Sequence, residues 1–278
     1  MQGVTESMAG RAAIFQLLPF SQEEFPEVSL LKGGFPEALA RPSLRETWFR
    51  SYVQTYLERD VRSVTSIRDL STFRRFLALV ASWNGQILNK TDIAAPLGVS
   101  VPTVTQWLSI LEITSQILLI PPFYENFGKR ITKSPKLCLM DSGLACHLLG
   151  ITNQRELDRS PFLGSIFEGW VASEIIKHCL HRGRSRSLYH FRDHQGLEVD
   201  FILDEGNARL SLIEAKASKS PLPKSAHSLQ RLGGAVDRYA VRKFVAHRAQ
   251  EEGQNLTTLR PGVKAVPLNR LSMTFWRR

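Results

Sequence analysis

Two apolar runs in the last third of the chain carry charges that a buried strand tolerates only for a reason: Leu197-Glu198-Val199-Asp200-Phe201-Ile202-Leu203 and, one turn later, Leu212-Ile213-Glu214-Ala215-Lys216. An unpaired buried carboxylate is costly, so each such charge needs a partner, and a shared divalent metal is one. Side chains at i and i+2 of a strand share a face. Glu198 and Asp200 therefore point one way, and Glu214 and Lys216 are paired on one face of their own strand.

The surroundings of these runs predict the second half of the fold. Phe162 to about Leu180 reads as a long helix, with Phe167, Val171, Ile175 and Ile176 at helical spacing and Glu168 and Glu174 near the apolar stripe. The basic run His181-Arg182-Gly183-Arg184-Ser185-Arg186 reads as an exposed linker. Leu188–Arg192 is a strand, Asp193-His194-Gln195-Gly196 a turn, and Asp204-Glu205-Gly206-Asn207 a second turn between the charged strands. A helix over Ser225–Leu232 and a strand over Ala240–Ala246 complete the order α-β-β-β-α-β, and Val263–Leu268 reads as a further strand.

The front of the chain reads differently. Its first 45 residues are loop-rich, with prolines at 19, 26, 36 and 42 and a turn at Gly33-Gly34-Phe35-Pro36. A helix is expected from Leu44 to about Val64, its stripe of Trp48, Tyr52 and Tyr56 serving as a packing face. Residues 71–130 have the pattern of a winged helix-turn-helix. Ser71 caps a first helix through Phe73, Phe76, Leu77, Val80 and Trp83. Asn89 or Thr91 caps a short second helix, and Ser100 opens a third with Pro102 in its first turn, where a missing N–H is harmless. Gln116–Ile120 and the segment ending Lys136–Met140 flank a basic wing carrying Lys129, Arg130, Lys133 and Lys136. In one reading the third helix enters a major groove with Thr103 and Gln106 toward the bases while the wing touches phosphates; in the other the unit is a protein-packing module. The fold class is thus α/β, α+β overall. The expected division is an edge and linker over 1–45, a helical winged unit over 46–150 and the charged-strand domain over 151–278.

Composition narrows the partners. The chain carries 36 basic and 26 acidic residues, a formal net charge of +10. Arg outnumbers Lys by 25 to 11, and its planar fork suits phosphate, which favours DNA over a merely basic surface. Cys138, Cys146 and Cys179 lack CxxC spacing and read as reduced thiols, the histidines form no zinc-like cluster, and no membrane span or signal peptide is visible, so a cytoplasmic setting is expected.

Phosphodiester hydrolysis needs an activated water and neutralisation of the scissile phosphate. Mg²⁺ or Mn²⁺ held by two or three carboxylates supplies both. Asp200 and Glu214 are the candidate metal ligands, with the main-chain carbonyl of Ala215 as a further donor, Glu168 completing the cluster, Lys216 orienting the water and Arg192 meeting a phosphate. Of the 26 acidic residues only Glu214 has a Lys two positions later. The alternative is a metal-free buried ion pair between Asp200 or Glu214 and Lys216.

This order of a helix Glu, a strand Asp and Glu-x-Lys resembles the PD-(D/E)XK restriction-endonuclease-like fold, Holliday-junction resolvases included. Short stretches along almost the whole chain resemble the AAA-type ATPases that carry a C-terminal DUF4143 region: Glu6–Arg11, Gly33–Pro36, Tyr56–Val61, Lys129-Arg130, Lys133–Lys136, Asp141–Ala145, Phe167-Glu168, Phe191–Asp193, Glu198–Asp200 and Ile213–Lys216. The resemblance implies a P-loop domain ahead of these motifs. No GxxxxGK[ST] occurs, and the one Gly-Lys, Gly128-Lys129, has Phe123 in the place of the first glycine. The expectation is a DNA-binding protein with a Mg²⁺-dependent nuclease-like site, without an ATP site of its own. Arg11 has then no nucleotide to sense, and a separate ATPase segment is a possible partner. The alternatives are a non-catalytic DNA- or protein-interaction module, or a truncated ATPase fragment.

Overall fold

The computed structural model describes residues 16–57, 70–123, 133–185, 187–249, 255–271 and 274. Its first helices are α1 Pro36–Ala40 and, after a 3₁₀ turn, α2 Arg45–Tyr52, which runs into a π turn at Val53–Leu57. The helix expected to reach about Val64 is therefore regular only to Tyr52, and residues 58–69 lie outside the described residues. Trp48 and Tyr52 of its aromatic stripe pack as expected, stacked with ring centroids 5.0 Å apart and with Phe35 4.9 Å from Tyr52, while the Tyr56 side chain lies outside the description.

A helix-and-strand unit follows: α3 Leu70–Ser82, β1 Gln86–Ile87, α4 Lys90–Ala94, α5 Val101–Ile113, β2 Ile117–Ile120 and β3 Lys136–Leu139. Ser71, expected to cap α3, lies inside it. Asn89 does cap α4, accepting from the Thr91 N–H, and Gly98 ends the following 3₁₀ turn at φ +66°, a conformation glycine adopts without steric cost. Ser100 caps α5 through the Thr103 N–H. The strands form an antiparallel sheet in the order β1-β3-β2. Phe73, Phe76 and Trp107 meet edge-on and tilted at its core.

After α6 Ser142–Leu148 and α7 Gln154–Arg159 comes the long helix α8 Leu163–His181. Then follow β4 Leu188–Arg192, β5 Glu198–Gly206, β6 Arg209–Lys216, α9 His227–Ala235, β7 Ala240–His247, β8 Thr257–Arg260 and β9 Val263–Pro267. The six strands form one sheet ordered β4-β5-β6-β7-β9-β8. β4, β5 and β6 form an antiparallel meander, β6–β7 and β7–β9 are parallel, and β8 returns antiparallel on β9. The expected α-β-β-β-α-β order is present, followed by β9 where a further strand was expected at Val263–Leu268 and by β8, where none was expected. The class is α+β.

The sheet is covered on both faces. Phe201, Leu203, Ile213, Phe244 and Ala246 pack in one core with Phe167, Val171 and Ile175 of α8, while Ile202, Leu210, Leu212 and Val245 pack with Leu229 and Leu232 of α9. The α8-side core also takes in Val28, Leu30 and Leu39 and the β2–β3 residues Leu118, Ile120 and Cys138. The front of the chain is therefore welded to the back.

Two of the motifs singled out in the sequence join to each other within the front of the chain. Asp141 caps α6 through the Leu144 N–H at 2.8 Å and takes the Gly34 N–H on its other oxygen at 2.7 Å. Gly33 has φ +72°, and a Cβ there would fall 2.2 Å from Asp141 Oδ1. The Gly-Gly-Phe-Pro turn and Asp-Ser-Gly-Leu-Ala are thus two halves of one contact.

Candidate functional site

Helix α8 carries Glu168 in its second turn, and β5 and β6 carry Glu198, Asp200, Glu214 and Lys216 into the same region. Register pairs Phe201 with Ile213 and Ile202 with Leu212, which brings the ends of both strands together. The Ala215 N–H donates to Asp200 Oδ2 at 2.8 Å, fixing that carboxylate against β6. The Ala215 main chain thus takes part in the site through its N–H. Lys216 Nζ donates to Glu214 Oε1 at 2.7 Å, and Glu214 Oε2 is buried with no hydrogen-bond partner.

The sequence reading placed Lys136 at the basic tip of the wing, facing phosphates. The structure corrects this. Lys136 opens β3, its side chain is 1% exposed, and its Nζ lies 2.5 Å from Glu168 Oε1. It is also 3.5 Å from both Asp200 Oδ1 and Glu198 Oε1, and 5.4 Å from the centre of the Phe201 ring. The cause is β3 itself, which runs directly under α8, so that its first residue points at the acids. Lys133 is exposed; Lys129 and Arg130 lie outside the described residues.

Electrostatics follow from a count. Four carboxylates, Glu168, Glu198, Asp200 and Glu214, meet Lys136, Lys216 and, from the rim, Arg192, whose guanidinium is 3.8 Å from Glu198. Burial and then the charge of Asp200 push Glu168 up to about 8, against the pull of Lys136. Burial and Asp200 likewise push Glu214 up to about 7, with Lys216 opposing. Burial works against the charge of Lys136, but Glu168 and then Asp200 outweigh it and hold the ammonium well above the ordinary lysine range. One ammonium is shared by three carboxylates, so negative charge is in excess at this centre.

Three further residues build the site without any signal having marked them as functional. Gly85 (φ +73°) leaves the room Glu168 fills; a Cβ there would stand 3.3 Å from its carboxylate. The Asn84 side chain, buried, donates to Ser165 O and accepts from the Leu139 N–H, tying α8 to β3 next to the cluster. His190, buried on β4, reaches Ser134 O at 3.1 Å. The buried charge at the head of β3 is the one signal that was available in the sequence.

Elsewhere the expected contacts are dispersed. On α5 the Thr103 hydroxyl pairs with Ser100, Thr105 and Ser109 bond back to their own helix, and Gln106 is exposed. Glu174, the second helix acid, is paired with Lys177 at 3.3 Å and accepts from the Gln22 N–H. The three cysteines are free and buried, and burial pushes Cys138 and Cys146 up to about 12 and Cys179 to about 11, so none is a nucleophile near neutral pH.

Carboxylate oxygens such as those of Asp200, Glu214 and Glu168 are the donor type that a hard divalent cation takes, and Glu214 Oε2 is buried without a hydrogen-bond partner. As they stand, with Lys136 among them, no group of three or more His, Cys, Asp or Glu side chains among the described residues is arranged to hold a metal. No single helix among the described residues is long and apolar enough to cross a membrane.

Comparison with known families finds matches to parts of the chain. Residues 163–271 match the domain of unknown function DUF4143, and residues 23–155 match the domain of unknown function DUF8612. Uncharacterized proteins of Mycobacterium tuberculosis and Mycobacterium bovis are each 27% identical over 277 residues, covering 97% of this chain. The chain spans 60% of the length of these relatives.

Proposed function

We propose that the acidic centre is a divalent-cation-dependent phosphodiester-cleaving site of the restriction-endonuclease-like kind, acting on DNA. The observation that carries this reading is the convergence of Glu168, Asp200 and Glu214 with Lys216 on one spot, with a buried Glu214 oxygen left over. Asp200 and Glu214 would hold Mg²⁺ or Mn²⁺, with Glu168 beside them, and the ion would supply Lewis-acid activation of water and charge neutralisation at the phosphate. Lys216, 40% exposed, has the reach to place that water, and Glu214 fixes its ammonium. Arg192 at the rim meets the approaching phosphate.

The helix-strand-helix-helix-strand-strand order of the front unit is that of a winged helix-turn-helix, and in this reading Lys133 touches backbone phosphates while Gln106 faces the groove. An ATPase segment supplied by another chain remains the companion that the resemblance implies.

A specific observation favours a second reading, a binding module that does not cleave. Lys136 already neutralises the acids, as a structural ion pair would. The deciding experiment incubates supercoiled, linear and branched DNA with the protein and Mg²⁺ or Mn²⁺. Cleavage that Asp200→Ala and Lys216→Ala each abolish is expected. Equal cleavage by both variants, or none by wild type, refutes the hydrolytic reading.

A further inference from the structure

Lys136 belongs to the sheet of the front unit, yet its ammonium is the cation of the acidic centre. It enters from β3, is 1% exposed, and lies 2.5 Å from Glu168 and 3.5 Å from both Asp200 and Glu198. A structural ion pair needs one acid for one base; here a single ammonium is set among three carboxylates, one of which, Asp200, is a proposed metal ligand. We propose that Lys136 is a built-in competitor for the divalent cation, so that loading the centre requires the amine to withdraw from Glu168 and Asp200. This rests on the reading of the centre as a cation site.

The geometry makes the competition direct. Asp200 Oδ2 is already engaged by the Ala215 N–H, so Oδ1, the oxygen that faces Lys136, is the one open to a metal. A divalent ion at that oxygen and an ammonium at Lys136's present distance repel each other across a poorly solvated gap.

The test is calorimetric titration of MnCl₂ into the full chain, as wild type, Lys136→Met, Lys136→Gln and Lys136→Arg. The Met and Gln variants are expected to bind Mn²⁺ about tenfold or more tightly than wild type, and Lys136→Arg no more tightly than wild type. Adding Asp200→Asn to Lys136→Met should return the affinity to the wild-type level or below. Equal Mn²⁺ affinity in wild type, Met and Gln variants, or no binding by either neutral variant, overturns the proposal. If both neutral variants fail to fold without metal, recovery of folded protein on refolding with Mn²⁺ supports it and failure with Mn²⁺ overturns it. Tight Mn²⁺ binding by Lys136→Met with no DNA cleavage by any variant leaves the competition standing and refutes the hydrolytic reading. Cleavage by wild type with Mn²⁺ affinity unchanged across the series does the reverse.

Discussion

Lys136 Nζ and Glu168 Oε1 stand 2.5 Å apart, joining the first residue of β3 to the second turn of α8 across 32 positions of sequence. The pair is the electrostatic seam between the front and back of the molecule, and it lies inside the acidic centre.

Removing Lys136 leaves the carboxylates around it, Asp200 and Glu198 beside Glu168, without their shared buried cation. Lys136→Met in metal-free buffer is expected to lower the unfolding free energy by about 3–5 kcal/mol, whereas Lys133→Met, at an exposed neighbour, should change it by less than about 0.5 kcal/mol. Urea denaturation monitored by circular dichroism checks both, and equal stability of the two variants contradicts the burial of Lys136 in the cluster.

Gly33→Ala should destabilise the protein by more than about 2 kcal/mol, because alanine is strained at a positive φ and its Cβ would collide with the Asp141 carboxylate. Gly150→Ala, at φ +71° with open space around it, carries only the backbone cost of about 1 kcal/mol. The difference between the two, read from thermal unfolding, isolates the contact with Asp141.

Stability should depend on pH in two opposed windows. Burial and then the nearby charge of Lys136 lower His190 from 6.5 to about 4, and burial likewise lowers His178 to about 4. Between those values the unfolded chain binds protons that the folded protein refuses, so this stability is full above pH 6.5 and is lost as pH falls toward 4. For His190, which is fully buried, the loss is on the order of 2–3 kcal/mol, and His190→Gln should flatten that limb. Glu168 has the opposite sign. Raised from 4.5 to about 8, it holds in the folded state a proton the unfolded chain has released, so its contribution is present below pH 4.5 and fades as pH rises through 8. Glu168→Gln should remove that alkaline fade in a pH series of denaturation curves.

DNA affinity should follow the exposed cations more than the Thr103 hydroxyl of α5. Lys133→Ala and Arg192→Ala are each expected to weaken binding uniformly across sequences and to reduce the salt slope by about 1. Thr103→Ala, whose hydroxyl is engaged with Ser100, should change affinity less than about twofold. Fluorescence anisotropy at several salt concentrations gives both readings; a Thr103→Ala loss exceeding that of Lys133→Ala would contradict an affinity dominated by phosphate contacts.

The charged strands were legible because period-2 burial makes a charge conspicuous, and the long helix because its apolar stripe repeats at helical spacing. Glu168, Asp200, Glu214 and Lys216 were therefore brought to one site in advance. Lys136 was missed although the same logic applied to it: a charge directly before Leu137-Cys138-Leu139-Met140 heads a strand whose residues are all buried. Grouping it with Lys129, Arg130 and Lys133 as a basic run hid that. The roles of Gly85 and Asn84 were not legible, since they depend on how closely α8 crosses β3, and no local pattern encodes that distance. The lock between Gly33-Gly34 and Asp141 likewise joins positions about a hundred residues apart.

The most direct test of the acidic centre as a cation-dependent phosphodiesterase is a single-turnover DNA cleavage series over Mg²⁺ concentration, with wild type beside Glu214→Gln and DNA binding followed in the same samples. The account predicts metal-dependent cleavage by wild type and a loss of about 100-fold or more in Glu214→Gln, with DNA affinity retained. Wild-type rates in Glu214→Gln, or DNA bound but uncut by wild type at every Mg²⁺ concentration, would contradict it.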